Sequence, residues 1–264
     1  MVHVIHADAV TKTFNVGKQA LTAVDDVTFA VEPGEFVSII GPSGCGKSTM
    51  LKLIADIYQP TSGQLSVNGR SPREARLGRE LGMVFQDPAL FPWRNVLDNV
   101  SLPLEIAGRL NEDSRRQSEE LLHLVGLGDF LEASPDQLSG GMRQRVAIAR
   151  ALVLEPRLFL LDEPFGALDE ITRKRMNLEL LRIWTQAHTS ALLITHSLSE
   201  AVFLSDRVLV MSPRPGTITD DVRIDLPRPR QIEMYREQRF FALETRISDA
   251  LHLTAGSPEV TYGR

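Results

Sequence analysis

Phe36-Val37-Ser38-Ile39-Ile40 runs directly into Gly41-Pro42-Ser43-Gly44-Cys45-Gly46-Lys47-Ser48-Thr49, and this stretch decides the fold. Five residues with no charge and no turn former predict a short buried strand. Glu32-Pro33-Gly34-Glu35 marks the turn before it. Residues 47–57 then place Leu51, Ile54 and Ala55 on one side of a helix, which Gln59-Pro60-Thr61-Ser62-Gly63 ends. A strand, a glycine loop and a helix in that order fit G-x-x-x-x-G-K-[ST]. The glycines let backbone N–H groups turn inward, and the helix N-terminus adds partial positive charge, so the loop suits phosphate. Lys47 would reach the β- and γ-phosphates of a nucleotide, while the Ser48 hydroxyl would ligate Mg²⁺.

Outward from this loop the texture alternates. Residues 2–10 and 24–31 read as strands with Gly17 and Lys18 in a turn region between them, and Leu65-Ser66-Val67 precedes an Asn68-Gly69 turn. A strand at 81–85 gives way to helical spacing from 88 to 150, including an amphipathic helix over 111–125. Strand texture returns at 158–161, 191–195 and 208–211, with helices between. The expected fold is therefore α/β: a P-loop NTPase core with a mainly parallel sheet, N-terminal antiparallel strands and an inserted helical subdomain. Residues 1–87 and 151–224 form the two parts of the core, 88–150 the insertion, and 225–264 a Leu-Pro-Arg-Pro-Arg linker with a final helix packed on the core.

Composition bounds the function. The chain has 264 residues, 43% hydrophobic and 24% charged, enough for a sizeable core. A net charge of −5 gives no overall basic field for nucleic acid. Cys45 stands alone, so no internal disulfide can form. The first residues lack the basic start and apolar run of a signal peptide, and the apolar stretches are strand-sized. A cytoplasmic chain that meets any membrane through a partner is expected.

Two further stretches carry chemistry. Asp162-Glu163-Pro164 ends the apolar run Leu158-Phe159-Leu160-Leu161. Alone it reads as a strand-ending turn; beside a nucleotide loop, Asp162 is placed for Mg²⁺ and Glu163 to polarise an attacking water. Leu138-Ser139-Gly140-Gly141-Met142-Arg143-Gln144-Arg145 precedes a good helix former. It reads as a serine N-cap or as a second anion site at a helix end.

The order of these motifs with Gln86, Leu168-Asp169 and His196 resembles the nucleotide-binding subunits of ABC transporters, over residues 4–211. The resemblance implies ATP and Mg²⁺ as ligands. Gly41, Pro42, Ser43, Gly44, Cys45, Gly46, Lys47, Ser48 and Thr49 would hold the nucleotide, with Phe14 stacked on adenine, though a Phe near a strand end also suits a core. Ser48, Gln86 and Asp162 would meet the metal, and Glu163, His196 and Gln86 would serve hydrolysis. Two copies would pair head to tail, so that Ser139, Gly140 and Gly141 of one cap the ATP of the other, with Asp169 at the interface. The location of Cys45 predicts that alkylating its thiol would block nucleotide.

The segment Asp87-Pro88-Ala89-Leu90-Phe91-Pro92-Trp93-Arg94-Asn95-Val96, the Leu-Pro-Arg-Pro-Arg run and the Met142-Arg143-Gln144-Arg145 ending resemble the nitrate, sulfonate and taurine importer branch. That implies transmembrane permease subunits as partners, a solute-binding protein indirectly, a small anionic solute, and a peripheral place on the cytoplasmic side of the inner membrane. Phe91, Pro92 and Trp93 would lie near the permease contact or simply pack the helical region. The alternative is a non-transport ABC ATPase acting on DNA or ribosomes. Such proteins carry a long coiled-coil insertion or two fused ATPase domains, and neither fits in this chain.

Overall fold

A computed structural model describes residues 3–17, 19–166 and 168–254. The chain opens with the antiparallel pair β1 (Ile5–Val16) and β2 (Gln19–Val31), then β3 (Phe36–Ile40) and α1 (Lys47–Ile54). β4 (Ser62–Val67), α2 (Pro72–Leu77) and β5 (Leu81–Val84) lead to the helices α3 (Val96–Ile106), α4 (Glu112–Leu124) and α5 (Gly140–Leu152). Next come β6 (Leu158–Asp162), α6 (Glu170–Ala187), β7 (Ser190–Thr195) and α7 (Leu198–Leu204). β8 (Arg207–Met211), β9 (Ile218–Arg223) and α8 (Gln238–Thr254) complete the described chain.

One sheet has the order β5-β6-β7-β3-β8-β9 and is parallel except for β9. Successive side chains of a strand point to opposite faces, so each central strand feeds two cores. Val37, Ile39, Leu158, Leu160, Leu192 and Ile194 pack on one side with α1 and the second, antiparallel sheet, β2-β1-β4. Phe36, Ile40, Phe159, Leu161, Ala191 and Leu193 pack on the other with α3, α5, α6, α7 and α8. Burial on both faces explains why these strands read as continuous apolar runs. Each Val, Ile, Leu or Phe among them stabilises the fold by about 1.5–3 kcal/mol before entropy is counted.

The register sets up the site. Ile40 pairs with Thr195, and Asp162 with Ile194, so the ends of β3, β6 and β7 are level. Gly41, Glu163 and His196 therefore emerge side by side at the carboxyl edge of the sheet, where such sheets take ligands.

Several elements depart from the sequence reading. The hairpin is longer than expected, because β1 continues through Phe14 and β2 begins at Gln19. Gly17 lies in the turn with φ 62°, whereas Lys18 lies outside the described residues. α2 and β9 were not anticipated, although Ser71 and Glu74 form a capping box that is a helix-start signal. The Leu-Pro-Arg-Pro-Arg linker is a packed segment. Arg230 is 4% exposed and donates to the carbonyls of Val202, Phe203 and Ser205 at the end of α7, at 2.8, 2.7 and 2.6 Å. Arg228 lies 4.5 Å over the Trp184 ring and pairs with Asp206. Side chains thus satisfy helix-end carbonyls that would otherwise be orphaned.

Candidate functional site

The glycine loop connects β3 to α1, and its last glycine explains the local geometry. Gly46 caps α1 with φ 115°, and a Cβ there would lie 2.6 Å from the Ala23 carbonyl oxygen. Only glycine admits both that backbone and that approach of β2. Lys47 is 6% exposed and donates to the carbonyls of Gly41 at 2.8 Å and Pro42 at 3.0 Å. The ammonium is thus held over the loop, ready to exchange carbonyl partners for an anion.

Beside it, the Ser48 hydroxyl donates to Asp162 Oδ1 at 3.0 Å. Burial pushes the Asp162 carboxyl up, opposed first by this hydrogen bond. A hydroxyl and a half-buried carboxylate in contact make a donor pair that a hard divalent cation would suit. Gln86 is exposed in the loop after β5, the strand beside β6, and its amide and the Glu163 carboxylate flank Gly166. A side-chain carbon at Gly166 would sit 3.6 Å from Gln86 Nε2 and 3.5 Å from Glu163 Oε2.

Glu163 follows β6 with φ 46°, a left-handed backbone that is uncommon for a non-glycine residue and concentrates at functional sites. Its N–H donates to the Ile194 carbonyl at 2.8 Å, and its Oε2 lies 3.1 Å from His196 Nδ1. Such a carboxylate can accept a proton from water, with an imidazole alongside to orient the charge. Behind them is a residue the sequence reading passed over. Glu200, on α7, is 2% exposed and accepts a hydrogen bond from Thr195 Oγ1, and burial pushes its carboxyl up to about 7.

A cavity of about 450 Å³ is lined by Phe14, Ser43, Gly44, Gly46, Lys47, Ser48, Thr49, Glu163 and His196, whereas Gln86, Asp162 and Glu200 are not among its lining residues. Leu21, Ala23 and Arg214 also line it, and no sequence motif announced them. Phe14 is half-buried, meets Tyr58 edge-on at 5.2 Å and carries Lys12 Nζ 5.1 Å over its ring. It belongs to the cavity wall rather than to the core.

Ser139, Gly140 and Gly141 are not among the lining residues. Ser139 caps α5, its Oγ accepting the Met142 N–H at 3.3 Å, and the two glycines form the first helical turn. Asp169 likewise caps α6, and the hydrogen bond from Thr172 holds its carboxyl below the usual range. Both helix ends are exposed. Cys45 is 1% exposed and burial pushes its thiol up, so a reagent has little access to its sulfur.

Residues 24–166 match the family model described as ABC transporter. The nitrate import ATP-binding protein NrtD of Synechococcus elongatus is 44% identical over 94% of this chain and 91% of its own length. The taurine import ATP-binding protein TauB of Pseudomonas aeruginosa is 43% identical over 84% of each. Among solved structures, a dimeric ATP-binding cassette in a post-hydrolysis state with ADP and Pi aligns with TM-score 0.74 and 33% identity, covering 84% of this chain and all of that one.

Proposed function

The chain belongs to the ABC transporter family, and on that premise we propose that two copies pair head to tail, close on two MgATP and hydrolyse them to drive a permease. It is the ATP-hydrolysing subunit that powers an ABC importer. The observation that carries the paired reading is the separation within one chain. The glycine loop, Glu163 and His196 share a cavity, while the Ser139 end of α5 is exposed and outside it. A helix N-terminus with a serine and two glycines favours an anion, and a second copy would bring one to each cavity.

In the chemical step Glu163 takes a proton from water as the oxygen attacks the γ-phosphorus. The bond to the β–γ bridging oxygen breaks, and ADP leaves with that electron pair. Lys47 and the loop N–H groups stabilise phosphate charge, and His196 and Gln86 orient the γ-phosphate and the water. Ser48, Asp162 and Gln86 would hold Mg²⁺, a donor set small enough to leave room for phosphate oxygens and water. When bound, that ion neutralises charge on the transferring phosphoryl group. Phe14 stacks on the base, and Asp169 stands at the interface between copies.

The solute is a small anion of the nitrate, sulfonate or taurine type, a reading that the nitrate and taurine import names of the relatives support. Permease subunits and, through them, a solute-binding protein are the partners, with this chain peripheral on the cytoplasmic face of the inner membrane. No helix among the described residues is long and apolar enough to cross a membrane. Trp93 is 76% exposed with Phe91 edge-on to it at 5.2 Å, which suits a contact with another protein.

Mixing two inactive variants tests the shared site. Lys47→Ala damages the loop and Ser139→Phe damages the capping helix end, so neither should hydrolyse ATP alone. Combined, half of each mixed dimer pairs an intact loop with an intact helix end, and ATPase activity should return. No recovery, with mixed dimers verified by differential tags, would show that each chain uses its own residues.

A further inference from the structure

We propose that Arg214 is a phosphate-contacting residue of the nucleotide site, supplied by the turn between β8 and β9. The inference deepens the assignment of the Gly41 loop as the ATP site and rests on it. The turn is fixed against that loop. Gly216 is buried, its N–H donates to the Ala23 carbonyl at 3.1 Å, and its own carbonyl accepts from Asp25 N–H at 2.9 Å. A Cβ at position 216 would lie 2.0 Å from the Cys45 carbonyl oxygen, so the turn crosses the phosphate loop at the closest distance a backbone allows. Ser212 closes the other end: it donates its N–H to the Thr217 carbonyl at 3.0 Å and accepts the Thr217 N–H on Oγ at 3.0 Å.

Arg214 stands between these two anchors, so its backbone is positioned by the loop it faces. The side chain is exposed, lines the cavity with Ala23, Ser43 and Gly44, and makes no hydrogen bond or ion pair to any described residue. Lys47 and Arg214 are the arginine and lysine side chains among the lining residues, and Lys47 is already held by loop carbonyls. Lys12, next to the cavity, is committed to the Gln59 carbonyl at 2.7 Å. A guanidinium fork matches phosphate oxygens in charge and geometry, while Phe14 and Leu21 give the base an apolar wall. The phosphate chain would thus be gripped from two sides, by the loop and by Arg214.

ADP and GDP titrations on the purified full chain test this. Arg214→Ala should weaken both nucleotides by about tenfold, the low end for an exposed charge-assisted hydrogen bond, with their ratio unchanged. Arg214→Lys, which keeps the charge but not the fork, should recover part of the loss. Because Arg214 has no partner to leave unpaired, the melting temperature should not move. Wild-type affinity in Arg214→Ala while Lys47→Ala fails to bind would overturn the Arg214 assignment alone. Normal binding by Lys47→Ala would instead sink the loop as the nucleotide site. A changed ADP-to-GDP ratio in Arg214→Ala would mean that the arginine reads the base, and would overturn the phosphate contact.

Discussion

Glu163 and Asp162 are neighbours in sequence with different surroundings, and this separates their chemistry. Asp162 ends β6 within hydrogen-bond reach of Ser48, whereas Glu163 turns through a left-handed backbone to face His196. The first carboxylate is thereby committed to the loop and the second to the open cavity. Replacing Glu163 with Gln keeps size and hydrogen bonding but removes the base. Turnover at saturating ATP should fall roughly 10²–10⁴-fold, while the Kd for ATP stays near wild type. A steady-state ATPase assay beside a nucleotide titration checks both halves; hydrolysis at the wild-type rate would remove Glu163 from the reaction. Cys45 illustrates the opposite case, a residue inside the motif whose side chain is enclosed, its sulfur 3.9 Å from Lys47 Nζ. A Cβ at Gly41 would lie 2.8 Å from that sulfur, so the side chain packs under the start of the loop.

Among the elements, the arginine-proline segment after β9 shows what local reading misses. Prolines and alternating charges suggest a linker, yet Arg230 acts as the C-terminal cap of α7 from more than twenty residues away. The partners are backbone carbonyls of Val202, Phe203 and Ser205, which carry no sequence signal. Arg230→Ala would leave those acceptors buried without donors, and stability should drop by about 2–4 kcal/mol. Nucleotide affinity should hold in the folded fraction, since Arg230 is not among the residues lining the loop cavity. Urea melts alongside ADP titrations would check this; unchanged stability would mean that water replaces the cap. The same contrast governs the rest of the fold. The central strands were legible because burial on both faces imposes an unbroken apolar run, and the glycine loop because its backbone demands glycine. β9 is alternately exposed and joins the sheet only at its edge, so Ile218-Thr219-Asp220-Asp221 lacks the unbroken apolar run of the central strands. The site residues at strand ends could be named from motifs, whereas Arg214 reaches the cavity only through tertiary packing.

At the scale of the whole molecule, the two cores meet at the central sheet, and the active edge is built where that sheet ends. Polar groups needed at the edge must therefore be backed by others inside the core, and Glu200 is such a group. It is fully enclosed behind His196, with one carboxylate oxygen on Thr195 and the other lacking a partner among the described residues. Burial pushes its carboxyl up to about 7, with the Thr195 hydrogen bond, Arg173 and His196 pulling it down and Glu163 pushing it further up. The sign of the linkage follows from proton counts. Below about pH 4 Glu200 is protonated in folded and unfolded chains alike and contributes no pH dependence. As the pH rises the unfolded chain releases its proton first, the folded chain holds more protons, and stability falls until the folded group also ionises. Glu200→Gln removes that titration. Between about pH 5 and pH 8 the variant should gain on wild type by about 1–3 kcal/mol, whatever constant offset the substitution introduces. Urea unfolding at the two pH values measures the change in the gap. A gap that stays constant would mean that Glu200 ionises in the folded protein as it does in the unfolded chain, with the Thr195 hydrogen bond, Arg173 and His196 outweighing its burial.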